Sequence, residues 1–200
     1  FPALIRAAPP PAPARQSPAA AKRPGRISVV IPNRDSPALI RMALDGVLNR
    51  TDYADFEVVV VDNGSTDPET LALYETHRNE PRARVDIRPA PFNFSAMANR
   101  GIELARGDHV LLLNNDVEVE APGWLAEMAA CLEAPVGGGP GVGIVGAKLL
   151  FPGRSLQHAG VVLGHQGRAG HWFYKAAEDA PGDVLDVGET EPDKLHREAD

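Results

Sequence analysis

Cysteine is almost absent from this chain: its 200 residues include only Cys131. A single cysteine excludes an internal disulfide framework and a zinc cluster built on thiolates. Cys131 lies in an Ala-, Leu- and Met-rich stretch of helical character, where a buried, small apolar role is expected of it. Long hydrophobic runs are missing too. No stretch approaches the roughly 20 apolar residues of a membrane-spanning helix, and no secretory signal pattern opens the chain. Positive charge is in short supply: 20 Lys and Arg stand against 27 Asp and Glu, a net charge of −7. That balance argues against a nucleic-acid partner and leaves phosphate ligands to be met through a cation. No Walker A sequence occurs. The run Gly141-Val142-Gly143-Ile144-Val145-Gly146 has the spacing of a dinucleotide fingerprint, but a Pro/Gly loop precedes it and a strand-like run lies inside it. The strand-before, helix-after context that the fingerprint requires is lacking.

What is present suits one globular domain with tails. The hydrophobic fraction, 44%, is ordinary for a folded chain. Residues 1–25 are Ala/Pro-rich and cannot bury enough apolar area to offset their ordering entropy, so they read as a disordered linker. The chain opens at Phe1 rather than Met and closes on the charged stretch His196–Asp200 without a helix stop. It is therefore expected to be an excerpt of a longer protein.

Between the tails, apolar strands and amphipathic helices alternate. Ile27–Ile31 is a β-branched strand closed by Pro32. Ser36-Pro37 opens a helix whose Leu39, Ile40, Ala43, Leu44, Val47 and Leu48 recur at helical spacing. Phe56–Val61 is almost wholly apolar, as expected of a parallel strand covered on both faces. Pro68 opens a helix to about His77, Arg84–Arg88 forms a weaker strand, and Phe94–Ala105 is a helix ended at Arg106-Gly107. Asp108–Leu113 is a fourth strand, and Pro122–Leu132 a helix with Trp124, Leu125, Met128 and Ala129 inward. Ile144–Leu150 and Val161–Leu163 read as strands around a turn at Pro152-Gly153, and beyond Gly164 no element is assigned. This alternation predicts an α/β fold: a mostly parallel sheet with right-handed crossovers, flanked by helices.

The chemistry lies at the strand ends. Leu111-Leu112-Leu113 breaks at Asn114-Asn115-Asp116, and similar breaks occur at Pro32-Asn33-Arg34-Asp35 and Asp62-Asn63-Gly64-Ser65. In a parallel sheet all carboxyl ends share one edge, which is where ligands bind. One carboxylate beside neutral oxygen donors suits a hard cation that in turn grips a phosphate, so Asp116 with Asn114 is the metal candidate; the alternative is an Asx turn. Asp62 could accept from a base N–H or ribose hydroxyls, or simply cap the turn at Gly64 and Ser65. His158, His165 and His171 fit no compact zinc spacing. Trp172, Phe173 and Tyr174 could stack on a sugar or anchor a loop.

Together these segments resemble family 2 glycosyltransferases, which have the GT-A fold. Ser28–Arg34 is similar to that family's opening strand and Val59–Asp67 to its second-strand motif. Phe94–Ile102 with Gly107-Asp108 is similar to its third helix and turn, and Leu113–Asp116 to its metal-binding position. Gly146–Leu150 with Gln157–Gly164 resembles the rhamnosyltransferase-like, polysaccharide-building members. The resemblance covers about residues 26–165. It implies a transferase that moves a sugar, with inversion, from a nucleoside diphosphate sugar (UDP- or dTDP-linked) to a hydroxyl of a glycan or lipid-linked acceptor.

Residue by residue, the resemblance puts Pro32, Asn33 and Arg34 at the nucleoside. It puts Asp62 with Asn63 at the base and Asn93 near base or phosphates. Asn115 falls beside the metal pair Asp116 and Asn114, with Mg²⁺ or Mn²⁺ as cofactor. The family's first acidic metal position is Asn114 here, so the cation rests on Asp116 and the diphosphate. The acceptor region with its general base is expected beyond Asp200, residues 166–200 being its truncated start. The excerpt itself is expected to transfer weakly or not at all, since losing a base costs on the order of 10²- to 10⁴-fold. A non-catalytic nucleotide-sugar-binding module is the alternative. A nucleotidyltransferase would need a glycine-rich basic loop after the first strand, which Pro32–Ser36 is not. The resemblance also implies a cytoplasmic location, or one peripheral to the inner membrane face. It further implies that the fourth strand lacks its neighbour, so the sheet edge is expected to be covered by residues 165–200 or by a second copy in a homodimer.

Overall fold

A computed structural model describes residues 25–133, 142–165, 168–171 and 174–178. The chain divides into two compact units, Phe1–Gly141 and Val142–Asp200. The division falls inside the stretch that the sequence suggests as one domain.

The first unit holds a parallel sheet of β1 (Ile27–Asn33), β2 (Phe56–Asp62), β3 (Ala83–Ile87) and β4 (His109–Leu112) in the order β3-β2-β1-β4. β1 runs to Asn33, past the expected stop at Pro32, because Pro32 pairs with Val61 and Asn33 with Asp62. α1 (Pro37–Asn49), α2 (Pro68–Thr76) and α3 (Phe94–Leu104) form the crossovers, and α4 (Trp124–Glu133) follows β4.

The residues explain these elements. Val58, Val59 and Val60 are all fully buried because both faces of β2 are covered. Val29, Ile31, Val58 and Val60 face Ile40, Leu44, Val47, Leu73 and Leu125 in the main core. Val30, Val59 and Val61 face Met97 of α3 on the other side. Fully burying one such Val or Leu contributes about 1.5–3 kcal/mol, so these two layers dominate the stability of the unit. α3 can lie this close because residue 101 is glycine: a Cβ there would stand 2.1 Å from Val30 Cγ1. Asp67 caps α2 by accepting from the Thr70 amide at 2.7 Å, with Pro68 at the first helical position. Asn93 caps α3 through the Ala96 amide at 3.0 Å.

The second unit contains short antiparallel pairs. β5 (Leu149–Leu150) pairs with β6 (Leu156–His158), and β7 (Val161–His165) with β8 (Arg168–His171). The expected strand Ile144–Leu150 is therefore shortened to its last two residues, and Ile144 is 91% exposed. A short apolar run has no period that separates strand from coil, and this one leaves Ile144 in water. Cys131 corrects a second expectation: it is exposed on α4, whose inward positions are Leu125 and Ala129.

Candidate functional site

Because β1, β2 and β4 are parallel, the loops after Asn33, Asp62 and Leu113 leave one edge of the sheet. The β1 and β2 loops are laced together. Asp35 has φ 42°, a left-handed conformation that Asp tolerates better than most residues. From there its Oδ1 accepts from the amides of Thr66 (2.6 Å) and Asp67 (2.8 Å). Those two N–H groups hold the Asp35 carboxyl below its ordinary pKa, with Arg34 adding to the effect. The Asp35 amide donates to Ser65 Oγ at 2.8 Å, and Ser65 Oγ donates to Asp62 Oδ2 at 2.5 Å. Gly64, at φ 78°, makes the turn, and a Cβ there would meet the Pro89 backbone at 2.8 Å.

Asp62 is wholly buried. Its Oδ1 accepts from the Ser65 amide at 2.6 Å, and its Oδ2 takes a second bond, from the Tyr74 hydroxyl at 2.6 Å. Three donors therefore surround this carboxylate, the usual requirement for a buried charge. Burial, with Asp62 alongside, pushes the Tyr74 hydroxyl pKa well up, so it stays protonated and donates. Tyr74 in turn accepts from Asn33 Nδ2 at 2.7 Å, and Asn33 Oδ1 accepts from Asn115 Nδ2 at 2.7 Å. Asn115 is half-buried, while its neighbours Asn114 and Asp116 are exposed.

The candidate nucleotide residues thus separate by accessibility. Arg34 and Asn93 are not buried, with the Arg34 side chain 55% exposed and 3.8 Å from Asp35. Pro32 is half-buried. Asn33, Asp62 and Asn63 are buried and hydrogen-bonded inward, Asn63 Nδ2 to the Ala90 carbonyl at 3.0 Å. The turn-capping alternative for Asp62 is therefore realised at Ser65. Sequence reasoning passed over Tyr74 and named Asp35 only as part of the Pro32–Asp35 break. Tyr74 had a signal: Thr70, Leu73 and Tyr74 form an inward stripe, and a buried tyrosine hydroxyl needs a partner.

For a cation the donors at this edge are all oxygens, Asp116 and Asn114, the chemistry Mg²⁺ and Mn²⁺ take. Among the described residues no three His, Cys, Asp or Glu side chains gather into a metal cage. The donor set fits a cation whose remaining ligands are diphosphate oxygens and water. Of the expected histidines, His158 lies in β6 of the second unit and pairs with Leu149. The side chains of His165 and His171, and all of Trp172 and Phe173, lie outside the described residues.

The sequence model of glycosyl transferase family 2 matches residues 28–154. The chain is 45% identical over 146 residues to the uncharacterized protein y4gI of Sinorhizobium fredii, covering 72% of this chain and 16% of that protein. It is 43% identical over 153 residues to the O-antigen biosynthesis protein RfbC of Myxococcus xanthus, covering 76% of this chain and 12% of that protein. The chain thus spans less than a fifth of these relatives' length. Among solved structures, a mannosyltransferase from Pyrobaculum calidifontis in complex with GDP-Man and Mn²⁺ superposes with a TM-score of 0.51. It is 26% identical, covering 56% of this chain and 33% of that one.

Proposed function

The chain belongs to glycosyl transferase family 2, and from that premise we propose that it binds the donor for an inverting sugar transfer in polysaccharide synthesis. Its mostly parallel, helix-flanked sheet is of GT-A type. The donor in this reading is a UDP- or dTDP-sugar, and the acceptor a glycan or lipid-linked hydroxyl. The observation that carries the reading is the single sheet edge. There the parallel strands gather Arg34, the buried Asp62 cluster and the exposed pair Asn114 and Asp116. Kinship with an O-antigen biosynthesis protein supports the polysaccharide setting, and a solved relative holding GDP-Man and Mn²⁺ supports a nucleotide sugar with a cation.

In the proposal Pro32, Arg34 and Asn93 border the nucleoside and phosphates, while Asn33 and Asn63 shape the pocket from beneath. Asp62, wholly buried, serves the base side from beneath by holding the Ser65 loop. Asp116 and Asn114 hold the cation, which when bound would stabilise charge on the departing diphosphate. The acceptor oxygen bonds to the anomeric carbon as the bond to the diphosphate breaks, with inversion. The acceptor proton goes to a base outside this donor-side set. The same reading keeps residues 1–25 as a linker and residues 166–200 as the start of the acceptor side. It puts the chain in the cytoplasm or on the inner membrane face; among the described residues no helix is long and apolar enough to cross a bilayer.

A thermal-shift panel of UDP, dTDP, GDP and ADP, each with Mn²⁺ and with EDTA, tests the proposal. Stabilisation by UDP or dTDP in Mn²⁺ is the expected result. At 100 times its Kd a ligand adds about 2.7 kcal/mol. A response to GDP alone would reassign the base, and no response to any nucleotide would remove the donor site.

A further inference from the structure

We propose that Tyr74 is a positioning residue that couples the nucleoside side of the donor site to its cation side. The inference rests on the donor-binding reading above. The observation behind it is the continuous chain Asn115 Nδ2 to Asn33 Oδ1 (2.7 Å), Asn33 Nδ2 to Tyr74 Oη (2.7 Å) and Tyr74 Oη to Asp62 Oδ2 (2.6 Å). It crosses from β2, through α2 and β1, to the loop after β4.

The direction of every bond in this chain is fixed by its end. An ionised carboxylate only accepts, so Tyr74 must donate to Asp62 and has lone pairs left for Asn33 Nδ2. Asn33 then offers its carbonyl oxygen to Asn115. Asn115 spends an N–H inward and keeps its own oxygen for a ligand. Asn33 and Tyr74 are 3% and 6% exposed, so water does not compete for these bonds and each polarises the next. Packing alone does not call for the hydroxyl, since a phenylalanine would fill the same space beside Leu73. Among the described residues, Asn115 to Asn33 is the one side-chain hydrogen bond that ties residues 114–116 to the sheet. The place of Asp116, next in the chain, therefore depends on a tyrosine on another element. A nucleoside seated on the Ser65 loop that Asp62 holds bears on the same chain, and binding effects of this kind are reciprocal.

The test is Tyr74→Phe in the whole chain, with Asn115→Ala as a second variant that leaves the Tyr74–Asp62 bond intact. Three readouts are taken: water exchange of the Asn115 side-chain amide without ligand, uridine affinity in EDTA, and UDP affinity in Mn²⁺. The expected result for Tyr74→Phe is faster Asn115 amide exchange and a loss of UDP–Mn²⁺ affinity on the order of tenfold. Uridine affinity should stay within about twofold, and Asn115→Ala should reproduce the UDP–Mn²⁺ loss. An unchanged Asn115 amide in Tyr74→Phe, or equal losses for uridine and UDP–Mn²⁺, would overturn the coupling and leave Tyr74 a packing residue. If the wild-type chain binds neither ligand, the donor reading fails and the coupling falls with it, whereas binding that ignores Tyr74→Phe overturns the coupling alone.

Discussion

Asp62 shows what one carboxylate does when three donors close on it. Replacing it with Asn puts an N–H or a weaker acceptor opposite Ser65 and Tyr74. Hydrogen bonds to charged groups contribute about 1.5–3 kcal/mol each, so Asp62→Asn is expected to cost about 2 kcal/mol of stability in a denaturant titration. It should also weaken uridine binding with or without metal. Full stability with undiminished uridine binding would remove Asp62 from both roles. Other carboxylates set the acid limit. Asp86 is held below its ordinary pKa by Arg100, against the opposing effect of burial. Glu57 is raised by burial, but Ser28, the Arg106 amide and Arg84 outweigh that and leave it lowered. Asp35 is lowered by the Thr66 and Asp67 amides. A depressed folded-state pKa contributes stability that is complete above the unfolded value and is lost as pH falls through the folded one. Unfolding midpoints should therefore hold near neutrality and drop below about pH 4. A midpoint that rose on acidification would contradict these assignments. At this scale the placing of Asp62, Asn114 and Asp116 at strand ends was legible in the sequence, because apolar strands broke sharply at them. The hydrogen bonds of Tyr74 and Asp35 were not: the inward stripe marks Tyr74 as buried, but their partners lie on other elements and no local pattern announces a long-range hydrogen bond.

Helix α3 meets the sheet at Gly101, where a methyl group would collide with Val30. Val30 is fully buried in the central strand and cannot yield. Ala has the better helix propensity by about 1 kcal/mol, yet overpacking costs typically about 1–3 kcal/mol. Gly101→Ala is therefore expected to lower the melting temperature; a rise would mean that α3 shifts freely on β1. α2 offers a local control: Asp67→Ala should cost about 1 kcal/mol through loss of its cap, read in the same titration. The strands β1 and β2 were legible because unbroken β-branched runs bounded by turn residues admit few other structures. Ile144–Leu150 misled because a short apolar run carries no period, and the pairing of its last two residues depends on a partner across a turn.

The sheet as a whole ends at β4 among the described residues. Val110 and Leu112 are 40% and 48% exposed there, and an apolar edge strand is a template for another chain. We propose that this edge is covered either by a second copy or by residues 165–200. Amide exchange from Val110 to Leu113 should then be slow, with light scattering showing a dimer in the first case and a monomer in the second. A strict monomer with fast exchange across those residues would contradict the pairing. The sequence foretold the parallel sheet with its strand ends on one edge, because alternation of strands and helices dictates both; the division at residue 141 falls in the glycine-rich run Gly137–Gly143, which local pattern alone does not separate from a loop inside one domain. The central claim, that this edge binds a nucleoside diphosphate through a cation on Asp116, is tested most directly by titration calorimetry with UDP in Mn²⁺ and in EDTA, on wild type and Asp116→Asn. The account predicts tight binding only for wild type with Mn²⁺; equal affinity in EDTA, or an unchanged affinity in Asp116→Asn, would contradict it.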